Sequence, residues 1–152
     1  MNGEGVFKII DQADWPRREQ FELFKMFGSP YFSITADVDI TAYRKRLPKG
    51  GRFTIGLVHA LATAANAVPQ FRQRIRGDDV IEFDTVHPSI IVLNEEEAFR
   101  FCAFPYSEDY AAFAKDVPAL MERAKAAASM FDFQDQDDFL FLTGLPWISF
   151  TG

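Results

Sequence analysis

The sequence predicts a mixed α/β layer fold, and three observations carry that expectation. Short apolar runs of strand character are interspersed with helical stretches along the whole chain. Residues 31–40 alternate apolar and polar with a period of two. Residues 53–68 place apolar side chains at helical spacing. At 152 residues the chain reads as one domain, 1–152, large enough to bury a real core.

Taken in order, residues 7–10 form an apolar run that adds a strand. Asp14 offers an N-cap and Pro16 falls in the first turn of a helix over 15–26, with Phe21, Phe24 and Phe27 on one face. Gly28-Ser-Pro30 ends it. In 31–40, Phe32, Ile34, Ala36, Val38 and Ile40 define a buried face and Tyr31, Ser33, Thr35, Asp37 and Asp39 a polar one. Thr41 caps a short helix to Leu47, and 48–51 is a turn. In the helix over 53–68, Phe53, Leu57, Ala60, Leu61, Ala64 and Val68 form the stripe expected to be buried.

Residues 71–75 and 80–84 flank the turn 77–79 and predict a hairpin. Extended runs follow at 89–93, introduced by Pro88, and at 98–104. Ser107 caps a long helix to about residue 130, which Pro118 kinks or splits. Residues 132–138 read as an acidic, solvated loop. The last stretch, 139–150, is nearly continuously apolar before Pro146, as suits a strand buried on both faces in the middle of a sheet.

Hydrophobic residues are 48% and charged ones 25%, the balance of a soluble globular protein. Seventeen Phe are more than such a core needs; they pack the interior or line an apolar pocket. The net charge of −6 argues against a nucleic-acid partner, because phosphate binding needs a basic surface. The basic clusters at 43–46 and 72–76 read as solvated faces. Cys102 is the single cysteine, so no internal disulfide forms and a reducing cytoplasm fits. No signal peptide begins the chain, and His59, Thr63 and Asn66 interrupt its longest apolar helical stretch, so no membrane span is expected.

Two histidines, His59 and His87, are too few for a metal site of their own. Walker, Gly-x-Gly-x-x-Gly and Gly-x-Ser-x-Gly patterns are absent. Glu95-Glu-Glu97 alternates faces and reads as an exposed acidic edge.

Several stretches together resemble the chloramphenicol acetyltransferase family. They are Trp15-Pro-Arg-Arg-Glu-Gln-Phe-Glu-Leu-Phe24, Asp39-Ile-Thr41, Phe71-Arg72, Val80-Ile-Glu-Phe-Asp-Thr-Val-His-Pro88, Pro105-Tyr-Ser107 and Leu145-Pro-Trp-Ile-Ser-Phe-Thr151, in family order along nearly the whole chain. The resemblance implies a two-layer mixed sheet with helices packed on one face, assembled as a homotrimer with active sites between subunits. It implies acetyl-CoA as co-substrate, no metal, and a hydroxyl acceptor such as chloramphenicol. The histidine of a His-His-x-x-x-Asp-Gly motif would act as general base, and a hydroxyl near the Pro-Trp strand would stabilise the oxyanion.

That histidine motif does not occur in these 152 residues, and neither His59 nor His87 sits in a His-x-x-x-Asp context. In the family it lies C-terminal to the Pro-Trp strand. Gly152 aligns with the oxyanion serine and has no hydroxyl. Arg17 aligns with the first-helix arginine that pairs with the motif's aspartate. On the acceptor side, Leu23, Phe24, Gly28, Pro30, Phe32 and Phe99 match pocket-lining positions, although plain core packing accounts for the same residue types. Arg52 matches a basic position near the coenzyme phosphates; a solvated turn arginine is the alternative.

The expectation is therefore an acetyltransferase-like domain lacking its C-terminal part and inactive by itself. The alternative is a non-catalytic homologue that serves as a small-molecule-binding or subunit-association module.

Overall fold

The computed structural model describes residues 5–46, 52–130, 136–145 and 147–149. Strands β1 (Phe7–Ile9), β2 (Gln73–Arg76) and β3 (Asp79–Phe83) form an antiparallel sheet in the order β1-β3-β2. Strands β4 (His87–Leu93), β5 (Phe99–Ala103) and β6 (Phe139–Leu142) form a second sheet, β5-β4-β6. This second sheet is mixed, with β4 antiparallel to β5 and parallel to β6. The helices are α1 (Arg18–Lys25), α2 (Thr41–Arg46), α3 (Phe53–Ala67), α4 (Tyr110–Lys115) and α5 (Val117–Ala126).

Local signals place most of these elements. Gly77 opens the two-residue β2–β3 turn at φ +62°, the left-handed conformation a tight hairpin asks of that position. Between β4 and β5 the Asn94 carboxamide oxygen accepts from the main-chain N–H of Glu96 and Ala98, at 3.1 and 2.8 Å, and the three glutamates are exposed. Pro118 divides the predicted long helix into α4 and α5, as a ring without an N–H must. Its N-cap is Asp109, whose carboxylate accepts from Ala112 N–H at 2.7 Å, rather than Ser107. The helix ends at Ala126, short of residue 130. Similarly, α1 starts at Arg18 with Arg17 as N-cap, later than Asp14 suggests.

The main core lies between the second sheet and α3, α4 and α5. Ile90, Val92 and Cys102 project from the sheet against Ile55, Val58, Phe113, Val117 and Ala124, with Phe104 fully enclosed. Burial of each large side chain contributes about 1.5–3 kcal/mol, which makes this layer the main support of the fold. Ile81, Phe83 and Val86, with Phe7 against them, form a smaller cluster on the first sheet.

Four expectations are corrected. Residues 31–40 are irregular and exposed on both expected faces, with Phe32 84% exposed, because no described strand pairs with them. On α3 the buried residues are Ile55, Gly56, Val58, Ala62 and Ala65, whereas Phe53, Leu61 and Val68 of the expected stripe are exposed. This helix is apolar almost all round, and the sheet selects its small side for close approach. Strand β6 is four residues long and lies at the edge of its sheet among the described residues; Phe141 on it is 56% exposed.

The fourth correction concerns charges expected to be solvated. Arg74 donates to the main-chain carbonyls of Asp137 and Phe139, each at 2.7 Å. Arg76 grips both carboxylate oxygens of Asp137, at 3.1 and 2.5 Å, and Arg72 pairs with Glu82 at 3.2 Å. Asp138 is buried, and its carbonyl accepts from His87 N–H at 2.8 Å. The basic run and the acidic run thus join into a polar seam that ties β2 to the entrance of β6. Leu47, the turn 48–51, residues 131–135, Pro146 and 150–152 lie outside the described residues.

Candidate functional site

The second sheet has two unlike faces. Its inner face carries the core; alternation along β4, β5 and β6 places Ile91, Leu93, Phe99, Phe101, Phe139 and Phe141 on the outer one. There the rings of Phe99 and Phe101 stand edge-to-face at 6.0 Å, and those of Phe101 and Phe141 at 5.4 Å. Phe139 continues the row at 6.3 Å from Phe141. Ile91, Leu93, Phe99 and Phe141 are exposed and Phe139 is buried, so part of the face presents apolar, aromatic side chains to solvent, a surface suited to a ligand or another protein. Of this wall the sequence reading identifies Phe99 alone. The i, i+2 spacing of Phe99 with Phe101 and of Phe139 with Phe141 is the signal that marks the others.

The remaining predicted acceptor residues group elsewhere. Leu23 and Phe24 sit half-exposed on α1, with Phe24 edge-to-face on Phe27 at 5.3 Å. Leu23 also lines an open depression along that helix with Arg18, Glu19, Glu22 and Met26. Gly28 has open space where a Cβ would stand, and Pro30 and Phe32 belong to the exposed irregular stretch. Among the described residues the ring partner of Phe24 is Phe27 and that of Phe99 is Phe101, so these contacts gather the predicted acceptor residues into two aromatic groups. The α1 group is tied to the first sheet by the Lys25–Asp78 ion pair at 2.5 Å.

Arg17 caps α1 with its carbonyl accepting from Phe21 N–H; its side chain is exposed and makes no ion pair among the described residues. Arg52 is the N-cap of the 15-residue α3, exposed beside the free N–H groups of that terminus. A guanidinium there adds to the positive end of a helix dipole, an arrangement suited to an anion. Gly152 lies outside the described residues.

Both histidines are engaged with main chain. His87 Nδ1 accepts from Tyr106 N–H at 3.0 Å, which puts the ring proton on Nε2, 3.9 Å from Asp138 Oδ2. Burial pushes the His87 pKa down, opposed by the Asp138 charge. His59 Nε2 donates to the Ser107 carbonyl at 2.9 Å, and the ring lies among Tyr106, Tyr110 and Phe113. These are structural assignments for both rings. Among the described residues no group of three or more His, Cys, Asp or Glu is placed to hold a metal, and no helix is long and apolar enough to cross a membrane.

Comparison with known proteins bears directly on this arrangement. The family profile described as chloramphenicol acetyltransferase matches residues 5–152. Chloramphenicol acetyltransferase 3 of Escherichia coli is 32% identical over 144 residues, covering 93% of this chain and 68% of that protein. The chloramphenicol acetyltransferase of Streptomyces acrimycini is 32% identical over 148 residues, covering 94% of this chain and 67% of that protein. A solved chloramphenicol acetyltransferase structure superposes with a TM-score of 0.82 at 28% identity, over 97% of this chain and 74% of that one. Match length, identity and shared backbone agree with the motifs in the sequence, and the chain belongs to the chloramphenicol acetyltransferase family.

Proposed function

We propose that this chain forms part of an O-acetyltransferase that moves acetyl from acetyl-CoA to a hydroxyl of chloramphenicol or a similar acceptor. The observation that carries this reading is the family match over 5–152. The aromatic wall of the second sheet supplies an apolar surface suited to a nitrophenyl-type acceptor. Phe99 anchors that wall, and Leu23, Phe24, Gly28, Pro30 and Phe32 would meet the acceptor from a second aromatic surface. Arg52 at the α3 terminus suits the phosphates of the coenzyme. Arg17 and Gly152 are assigned the structural positions beside the site that the resemblance gives them. The two aromatic groups are separate within one chain, which favours a site completed by a neighbouring subunit, as in a homotrimer.

Acetyl transfer needs a base that takes the acceptor's proton as the oxygen attacks the thioester. Neither histidine within residues 1–152 sits in the His-His-x-x-x-Asp-Gly context that the resemblance assigns to the base, and the accepting Nδ1 of His87 is taken up by Tyr106 N–H. The 152-residue polypeptide by itself is therefore expected to give no CoA-thiol release with acetyl-CoA and chloramphenicol. Clear turnover by this polypeptide would sink that assignment.

A second reading rests on the same exposed wall: a non-catalytic module that binds a small apolar molecule or a second subunit. Saturable chloramphenicol binding that is lost in Phe101→Ala, without turnover under any acetyl donor, would favour it. Cys102 is a free, buried thiol, which suits the reducing cytoplasm proposed for this chain.

A further inference from the structure

Pro105-Tyr106-Ser107, the loop leaving β5 for α4, is held by both histidines of the chain. They hold it from opposite sides and with opposite chemistry. From β4, His87 Nδ1 accepts the Tyr106 N–H at 3.0 Å. From α3, His59 Nε2 donates to the Ser107 carbonyl at 2.9 Å. Tyr106 adds a stacked contact with the His59 ring at 6.0 Å, and its hydroxyl donates to Thr63 at 3.2 Å. Thr63 in turn donates to the His59 carbonyl at 2.9 Å.

The two grips respond differently to a proton. A neutral imidazole has one accepting nitrogen; an imidazolium has none. His59 donates in either state and keeps its bond. His87 accepts, and protonation at Nδ1 would set two N–H donors against each other and cancel the bond to Tyr106.

We propose that this loop is an acid-sensitive latch, released on its β4 side when His87 is protonated and retained on its α3 side by His59. The inference is independent of the acetyl-transfer reading. The surroundings of His87 set the point of release. Asp138, preceding β6, faces Nε2 at 3.9 Å and favours the proton. Its Oδ1 is buried without a hydrogen-bond partner among the described residues, and the imidazolium is a ready counter-charge for that carboxylate. Arg74 of β2 lies within the field of Asp138 and competes for it. Tyr106 directs its hydroxyl to Thr63, away from the ring. Burial outweighs the Asp138 attraction and delays release to a pH below the ordinary histidine range.

Amide hydrogen exchange read by NMR on the 152-residue chain tests this. After correction for the intrinsic pH dependence, Tyr106 exchange should speed up by up to about tenfold per pH unit below the ordinary histidine value. Phe104 N–H, which donates to the Pro88 carbonyl two residues earlier, should not follow it. His87→Asn puts a non-titrating carboxamide oxygen near the Nδ1 position and should abolish the acceleration. Should that variant fail to fold, imidazole ¹⁵N shifts of the wild type decide: an unprotonated Nδ1 at pH 7.5 supports the latch. A protonated Nδ1, equal acceleration at Phe104, or unchanged acceleration in His87→Asn would overturn it.

Discussion

Replacing Arg74 by Met tests whether the polar seam holds β6 in place. Methionine keeps much of the apolar stem and removes the donors, so the change isolates the hydrogen bonds from the packing. The Arg74 guanidinium gives Nε to Asp137 O and Nη2 to Phe139 O, both at 2.7 Å, and Nη1 to Gln73 O at 2.7 Å and Phe71 O at 3.0 Å. A hydrogen bond to a charged group contributes about 1.5–3 kcal/mol. The two bonds that cross between sheets matter most, since the Nη1 pair is local and its carbonyls find water on release. Because the guanidinium is only partly buried, the upper figures are discounted, and a loss of about 2–4 kcal/mol is expected. With a urea slope of about 2 kcal/mol/M, the unfolding midpoint falls by roughly 1–2 M at unchanged slope. Amides of β6 should lose protection before those of β5, because Arg74 bonds to Phe139 O of β6, whereas β5 is held by its own pairing with β4. A midpoint within about 0.3 M of the wild type would refute the idea that the seam anchors β6.

Two further outcomes follow from the same geometry. The Cys102 thiol is pushed up to about 11 by burial, so iodoacetamide at pH 8 should label the native chain far more slowly than the chain in urea; equal rates would contradict its enclosed position. Stability should fall in two acid steps. The folded pKa of His87 is depressed, so its contribution is complete above the ordinary histidine value of about 6.5 and is lost as pH falls through the lower folded value. Asp137 is held below the usual carboxylate value chiefly by its hydrogen bond from Arg76, so its contribution is present above about pH 4 and lost below that. Urea midpoints from pH 8 to 3 should show both steps, with the lower one removed by Arg76→Gln and the upper one by His87→Asn.

The parts of the fold that were legible are those whose signal is local. The hairpin turn at Gly77, Pro118 in a helical run and the extended runs at 89–93 and 98–104 each rest on signals within a few residues, and the corresponding elements fall close to those positions. The parts that were not legible depend on a partner. Alternation along 31–40 says which residues would share a face, but a strand exists only when its N–H and C=O groups find another strand. The stripe on α3 was misassigned because apolar residues on both sides leave the choice to the sheet, which takes Ala62 and Ala65 over Leu61. Arg74, Arg76 and Asp137 read as solvated in isolation because the two runs lie some sixty residues apart in sequence.

The same distinction governs the candidate site. Phe99 was found by resemblance, and the structure extends it into a row of four rings on β5 and β6; i, i+2 spacing marks each pair along its own strand, but the sheet is what brings the two pairs together. The residues on α1 and after it are placed on a different surface, tied to the other sheet through Lys25. A ligand touching both groups therefore requires that the two surfaces be brought together by something other than the contacts described within this chain. Trp147, 76% exposed just beyond β6, belongs with that requirement: a large indole left in water gains most from a surface that covers it. The exposed apolar residues at 31–38, Ile91, Leu93 and Phe99 on the second sheet, and Trp147 are thus one physical fact, large apolar side chains in contact with water. Association with a neighbouring subunit, as proposed above, would remove them from water.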